Sequence, residues 1–186
     1  MPRVTTAFAA ALALFLPIGR PLLVGLTPVV GIGSGLLTTQ AAYAMSAEDW
    51  FDSGIAKAKR GDWQGAVVDW TKATEINPLY ADAYFNRGLG REKLGNLNKA
   101  KKDYTKAIKI NPNEADYYYG RGNLKAKLEN YKGAIKDFTK AIKISPNKVV
   151  YYLNRGNSKS DLGDHRGAVS DYSKAIQINP NYYQAY

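Results

Sequence analysis

Between Ala81 and Ile110 small and apolar side chains return at helical spacing, in two runs separated by a turn. In the first run, Ala81–Leu94, Tyr84, Gly88 and Arg91 follow one another at i, i+4 and i+7. In the second, Leu97–Ile110, the residues Ala100, Tyr104, Ala107 and Ile108 make an apolar stripe on a helix otherwise rich in lysine. Gly95 stands between them, suited to the left-handed backbone that follows a helix C-terminus. Asn96 comes next, a short polar side chain able to accept a hydrogen bond from a free amide at the start of the second helix. Asn111-Pro112 then closes the run, because a residue before proline avoids the helical region. The predicted unit is a helical hairpin.

That hairpin is written four times. Pro78, Pro112, Pro146 and Pro180 lie 34 residues apart, as do Gly54, Gly88, Gly122 and Gly156. The same step relates Ala66 to Ala100, Ala134 and Ala168, and Ala73 to Ala107, Ala141 and Ala175. It also relates the rings of Trp70, Tyr104, Phe138 and Tyr172, so the chain consists of internal repeats. The repeats are predicted at 47–80, 81–114, 115–148 and 149–182, with 183–186 opening a fifth. Asp62, Asn96, Asn130 and Asp164 are the expected caps of the four second helices. A glycine inside a helix costs about 1 kcal/mol relative to alanine, so Gly88 and Ala100 are read as the close contact where the two helices cross.

A 34-residue helix–turn–helix with an aromatic, Gly, Ala, aromatic, Ala and Pro in this order resembles the tetratricopeptide repeat. The pairs Arg87-Gly88, Arg121-Gly122 and Arg155-Gly156 are similar to the "Arg-Gly" form of that repeat, common in oxygenic photosynthetic organisms. The resemblance implies an all-α, right-handed superhelical solenoid whose first helices line a groove for a peptide or partner protein. Two departures from the family pattern matter. Arginine stands at Arg87, Arg121 and Arg155 where the family has leucine, and Lys57, Arg91, Lys125 and Lys159 stand where it has an aromatic. Asp69, Asp103, Asp137 and Asp171 recur with them. Pairing within a repeat and pairing across the repeat junction both fit; because the first repeat has Ser53 in place of arginine yet keeps Asp69, the second is favoured, as Asp69–Arg87, Asp103–Arg121 and Asp137–Arg155.

Composition changes the picture at one end. The chain has 186 residues, and all 16 acidic ones lie at Glu48 or later. The leader, 1–44, starts with Arg3, is apolar apart from Arg20, and ends in Ala42-Tyr43-Ala44. These are the marks of a cleaved export signal, and an uncleaved anchor through Leu22–Leu37 is the other reading. From Met45 onward 24 basic residues face 16 acidic ones. There is no cysteine, so no disulfide, thiolate metal site or cysteine nucleophile exists. The leader and the repeat subtype together predict a periplasmic or thylakoid-lumenal protein.

The residues point to binding rather than catalysis. His165, the sole histidine, occupies the column of Trp63, Leu97 and Tyr131 and reads as a packing substitution. No cofactor or metal is expected. The family's inward positions fall on Phe51, Ile55, Phe85, Leu89, Tyr119, Asn123, Leu153 and Asn157, with Asn86 beside them. Such a set buries apolar side chains while its amides bond a peptide backbone; the alternative is that some of these residues only pack between repeats. Lys59, Lys93 and Lys127 border it and favour an acidic segment. The family's carboxylate-holding grooves use lysine and asparagine where Phe51 and Ile55 stand, and further cations where Asp116 and Gly120 stand; only Asn86 matches. A second surface is basic: lysines crowd Leu97–Ile110 and the equivalent helix of the next repeat, which reads first as a solvated face that keeps the array soluble, with an anionic membrane or, less readily for an exported chain, nucleic acid as the other readings. The end around Val169, Tyr172 and Ile176 is read as lacking a polar cap, so that the tail packs back on it, a second copy covers it, or the array is a shortened one; self-association of copies is favoured.

Overall fold

A computed structural model describes residues 45–183; the predicted leader 1–44 and the last three residues lie outside the described part. Among the described residues eight helices form four hairpins: α1 (Ala47–Lys59) with α2 (Trp63–Ile76), α3 (Ala81–Lys93) with α4 (Leu97–Ile110), α5 (Ala115–Lys127) with α6 (Tyr131–Ile144), and α7 (Val149–Asp161) with α8 (His165–Ile178). Each hairpin packs on the next, α2 against α3, α4 against α5 and α6 against α7, and a short 3-10 turn, Pro180–Tyr183, follows α8. The described residues contain no strand, and the architecture is the all-α solenoid of hairpins that the 34-residue period predicts.

The turns follow their residues. Gly61, Gly95 and Gly163 take positive φ between the helices of three hairpins; in the third hairpin Glu129 adopts φ 57° in the same place. Asp62, Asn130 and Asp164 accept hydrogen bonds from the amides of Gly65, Gly133 and Gly167. Asn96 makes no such bond, contrary to expectation. Its third residue on is Lys99, whereas the other three caps face glycine. A methyl group at Gly133 would lie 2.8 Å from Asn130 Nδ2, so a side chain there crowds the cap out.

The repeated glycine of each first helix is a seat for the aromatic of the second. A methyl group at Gly54, Gly88, Gly122 or Gly156 would come within 2.5–2.7 Å of Trp70, Tyr104, Phe138 or Tyr172 respectively. Three of these four rings are fully buried, and with the alanines at 66, 73, 100, 107, 134 and 141 they make the core of each hairpin.

The aspartate pairs run the other way from the sequence expectation. Arg87 donates through Nε and Nη2 to Asp103 at 3.0 and 2.8 Å, Arg121 to Asp137 at 2.8 and 2.8 Å, and Arg155 to Asp171 at 2.9 and 2.6 Å. The forks therefore close within a repeat, not across the junction as Asp69–Arg87, Asp103–Arg121 or Asp137–Arg155. Ser53 explains the first repeat: its hydroxyl donates to Asp69 at 2.6 Å in place of the guanidinium. A second cation completes each site, with Lys57, Arg91, Lys125 and Lys159 at 2.7, 2.5, 2.7 and 2.8 Å from the same four carboxylates. What crosses the junction is the remaining arginine nitrogen. Arg87 Nη1 reaches Thr74 of the preceding hairpin at 2.8 Å, Arg121 Nη1 reaches Thr105 at 3.3 Å, and Arg155 Nη1 reaches Thr139 at 3.2 Å.

Burial by itself raises the Asp171 carboxyl, but hydrogen bonds and charge from Arg155 and Lys159 outweigh it and hold the group below its ordinary value. A carboxyl depressed in the folded state supplies stability above its unfolded pKa of about 3.9 and loses it as pH falls toward the folded value. The urea midpoint is thus expected to be flat from neutral pH to about 5 and to fall below about 4, by less in Asp171→Asn than in the parent. Equal acid sensitivity in the two proteins would contradict this.

Candidate protein-binding groove

The first helices α1, α3, α5 and α7 carry the residues predicted to line the groove. Phe51, Phe85 and Tyr119 occupy one column and are half-buried. Phe85 and Tyr119 lean on the next repeat, 5.1 Å from the Tyr117 ring and 5.0 Å from that of Tyr151, while Phe51 lies 4.9 Å from Tyr80, the last residue of its own repeat and the cap of α3. Gly120 makes room for Phe85, since a methyl group there would lie 2.8 Å from its Cε2. These rings hold the junctions together and present only part of their surface. Leu153, at the end of the column, is half-buried as well.

One turn further along, Ile55, Leu89 and Asn123 are half-buried and Asn157 is exposed. Leu89 packs against Ala100, Tyr104 and Leu124. Asn123 Oδ1 accepts from Asn154 Nδ2 at 2.8 Å, and Asn154 also donates to the Tyr119 hydroxyl at 3.0 Å. Tyr119, Asn123 and Asn154 are thereby drawn into one polar cluster between α5 and α7. Asn86 stands apart, its amide donating to the Asp82 carbonyl of its own helix. Asn157 also stands apart, accepting from the Tyr172 hydroxyl at 2.7 Å. Lys59, Lys93 and Lys127 are exposed at the helix ends, with Lys93 Nζ 6.0 Å from the Trp63 ring centroid.

Sequence reading missed two cross-repeat latches on these same helices. The Tyr117 hydroxyl donates to Asp82 and the Tyr151 hydroxyl to Asp116, each at 2.5 Å. Burial first, and then the carboxylate bond, push both phenols above their ordinary value. The signal was present as two Asp-to-Tyr offsets of 35 residues, one step beyond the period. Asn154 was missed because its column holds Asn86, Gly120 and Asp52, with no shared chemistry.

The first helices stand side by side, α3 meeting α5 and α5 meeting α7. A cleft of about 470 Å³ lies elsewhere, on the fourth hairpin, lined by Tyr152, Arg155, Asp171, Ser173 and Lys174 among others. Its floor is the ion pair already described. Among the described residues no cluster of side chains suited to a metal is present, and His165 is exposed.

The tetratricopeptide repeat profile matches residues 81–114, 115–148 and 149–182, and a second repeat profile of the same kind matches 54–95. The chain belongs to the tetratricopeptide repeat proteins. No curated protein sequence matches it significantly. Among solved structures it is similar to a crystal structure of MamA, at 22% identity and a TM-score of 0.70, covering 74% of this chain and 81% of that one. It is also similar to MamA 41-end from Desulfovibrio magneticus RS-1, at 24% identity and a TM-score of 0.68, covering 73% and 77%. These likenesses are of fold. The matched family is one of interaction repeats, and no family of enzymes is indicated.

Proposed function

We propose that this tetratricopeptide repeat chain is an adaptor that holds an extended, acidic segment of a partner protein along its first helices, in the periplasm or thylakoid lumen, where it aids assembly of a membrane complex. The observation that carries the reading is the make-up of that wall. Half-buried Ile55, Leu89 and Leu153 offer apolar surface, the amide nitrogens of Asn123 and of exposed Asn157 offer backbone partners, and exposed Lys59, Lys93 and Lys127 border them with positive charge. Apolar and amide side chains repeated along successive first helices suit an extended chain better than a small molecule, which needs a concave pocket that encloses most of its surface. The leader supports export, and the repeat family supports a protein as the ligand.

Phe85 and Tyr119 are poor probes of this wall, because their rings also brace the junctions. The exposed lysines are better. Panning a random peptide display library on the protein is expected to enrich peptides that mix Asp or Glu with apolar residues. Lys59→Glu/Lys93→Glu/Lys127→Glu is expected to weaken those peptides by about tenfold or more through lost charge complementarity, with the melting temperature unchanged. Enrichment of basic peptides, or unaltered affinity in the triple variant, would refute the assignment.

A further inference from the structure

The outward side of α4 and α6 is chemically unlike the rest of the array. Lys102, Lys106 and Lys109 stand at i, i+4 and i+7 on α4, and Lys136, Lys140 and Lys143 repeat them on α6 one period later. All six are exposed. The same positions hold Val68, Lys72 and Glu75 on α2 and Ser170, Lys174 and Gln177 on α8, so the stripe is not a demand of the repeat. The acidic residues of α4 and α6 are Asp103 and Asp137 alone, and both are buried and already shared between two cations each.

Like charges at i, i+4 repel along a helix, and no ion pair among the described residues relieves these six. Lys106 and Lys140 lie 5.7 and 5.8 Å from the rings of Tyr84 and Tyr118, which steadies their stems without neutralising them. A face kept merely for solubility mixes both signs; this one concentrates a single sign on two adjoining hairpins.

We propose that this lysine face seats the array on an anionic membrane surface. The chemistry favours lipid headgroups over nucleic acid. Every cation in the stripes is a lysine, a hydrated point charge without the planar fork that grips a phosphate in two places. Of the rings nearest the stripes, Tyr104, Phe138 and Tyr118 are buried, and half-buried Tyr84 is already faced by Lys106 and Arg87, which leaves little ring surface to stack on bases. Among the described residues no helix is long and apolar enough to cross a membrane, so these helices meet a bilayer only at its surface. Polybasic patches bind anionic headgroups without fixed geometry and release with salt. The first helices remain free to hold a protein, so this surface and the groove are separate sites.

Co-sedimentation of the purified protein with vesicles tests this. Vesicles containing roughly 30% phosphatidylglycerol in phosphatidylcholine are expected to bind about tenfold or more protein than phosphatidylcholine alone at low salt, the excess vanishing at high salt. The variant with all six lysines replaced by glutamine is expected to lose that excess while keeping its helical circular dichroism. Should that variant fold poorly, Lys106→Gln/Lys140→Gln is expected to lose a large part of the excess while Lys59→Gln/Lys93→Gln/Lys127→Gln keeps it, and the reverse order overturns the proposal. Equal binding to both vesicle types, or an excess that the six substitutions leave intact, overturns the proposal. Binding to duplex DNA that is tighter than to the anionic vesicles at the same salt, and lost in the six-lysine variant, overturns it in favour of nucleic acid.

Discussion

Asp137→Ala is expected to destabilise the array by roughly 3–5 kcal/mol, measured as the loss of unfolding free energy in urea. Asp137 is buried and accepts from three nitrogens: Arg121 Nε and Nη2 at 2.8 Å each and Lys125 Nζ at 2.7 Å. The two cations retain 17% and 16% of their side-chain exposure, against 4% for the carboxylate. Removing the carboxylate therefore strands two positive groups that water reaches only in part. Lys125→Ala leaves the arginine fork intact and is expected to cost about 1 kcal/mol, nearer the value of an exposed pair. The contrast between the two variants is the test. Were Asp137→Ala to lose less than about 1 kcal/mol, the site would be a solvated pair of little weight. Because Arg121 also reaches Thr105 of the preceding hairpin, the same substitution is expected to loosen the junction as well as the hairpin.

Why the period displayed the helices but not these pairs can be said in terms of spacing. A second helix predicted over Leu97–Ile110 is found at that span, since an apolar stripe, a cap position and a proline each constrain it locally. The choice of partner for an aspartate is not local. Arg87 to Asp103 is 16 residues and Asp69 to Arg87 is 18, so both pairings fit a 34-residue repeat almost equally. The absence of arginine from the first repeat argued for the longer one, but Ser53 donates to Asp69 itself and leaves nothing to infer. A similar limit applies to the groove. The columns of Phe85 and Leu89 are legible from the repeat, whereas the share of each ring taken up by the next hairpin depends on Gly120 and Tyr117, which no rule of spacing links to Phe85. Asn86 shows the same thing in reverse, matching a family binding position while its amide is spent on its own helix. The lysine stripes were readable because exposure and charge need no partner, and the structure adds that the nearby acids are all taken.

The Gly122–Phe138 contact offers the second large effect. Phe138 is fully buried, and Phe138→Ala is expected to lose about 3–5 kcal/mol through lost burial and the void left behind. A methyl group at Gly122 would lie 2.6, 2.9 and 3.1 Å from three atoms of that ring, so Gly122→Ala must push a packed ring aside. Overpacking of this kind costs about 1–3 kcal/mol, which the gain of about 1 kcal/mol in helix propensity only partly offsets. The two changes should not add. Once the ring is gone the methyl group has space and fills part of the void, so the double variant is expected to be more stable than the sum predicts by about 0.5 kcal/mol or more. Urea unfolding of the four proteins measures this coupling. Strict additivity would mean that the glycine is not a seat for the ring, and its recurrence at 54, 88, 122 and 156 would need a reason other than helix contact. A positive coupling ties the period of the sequence to the geometry of the crossing, since the same ring-on-glycine contact sets how far apart the helices of every hairpin stand and thus where the first helices place their wall.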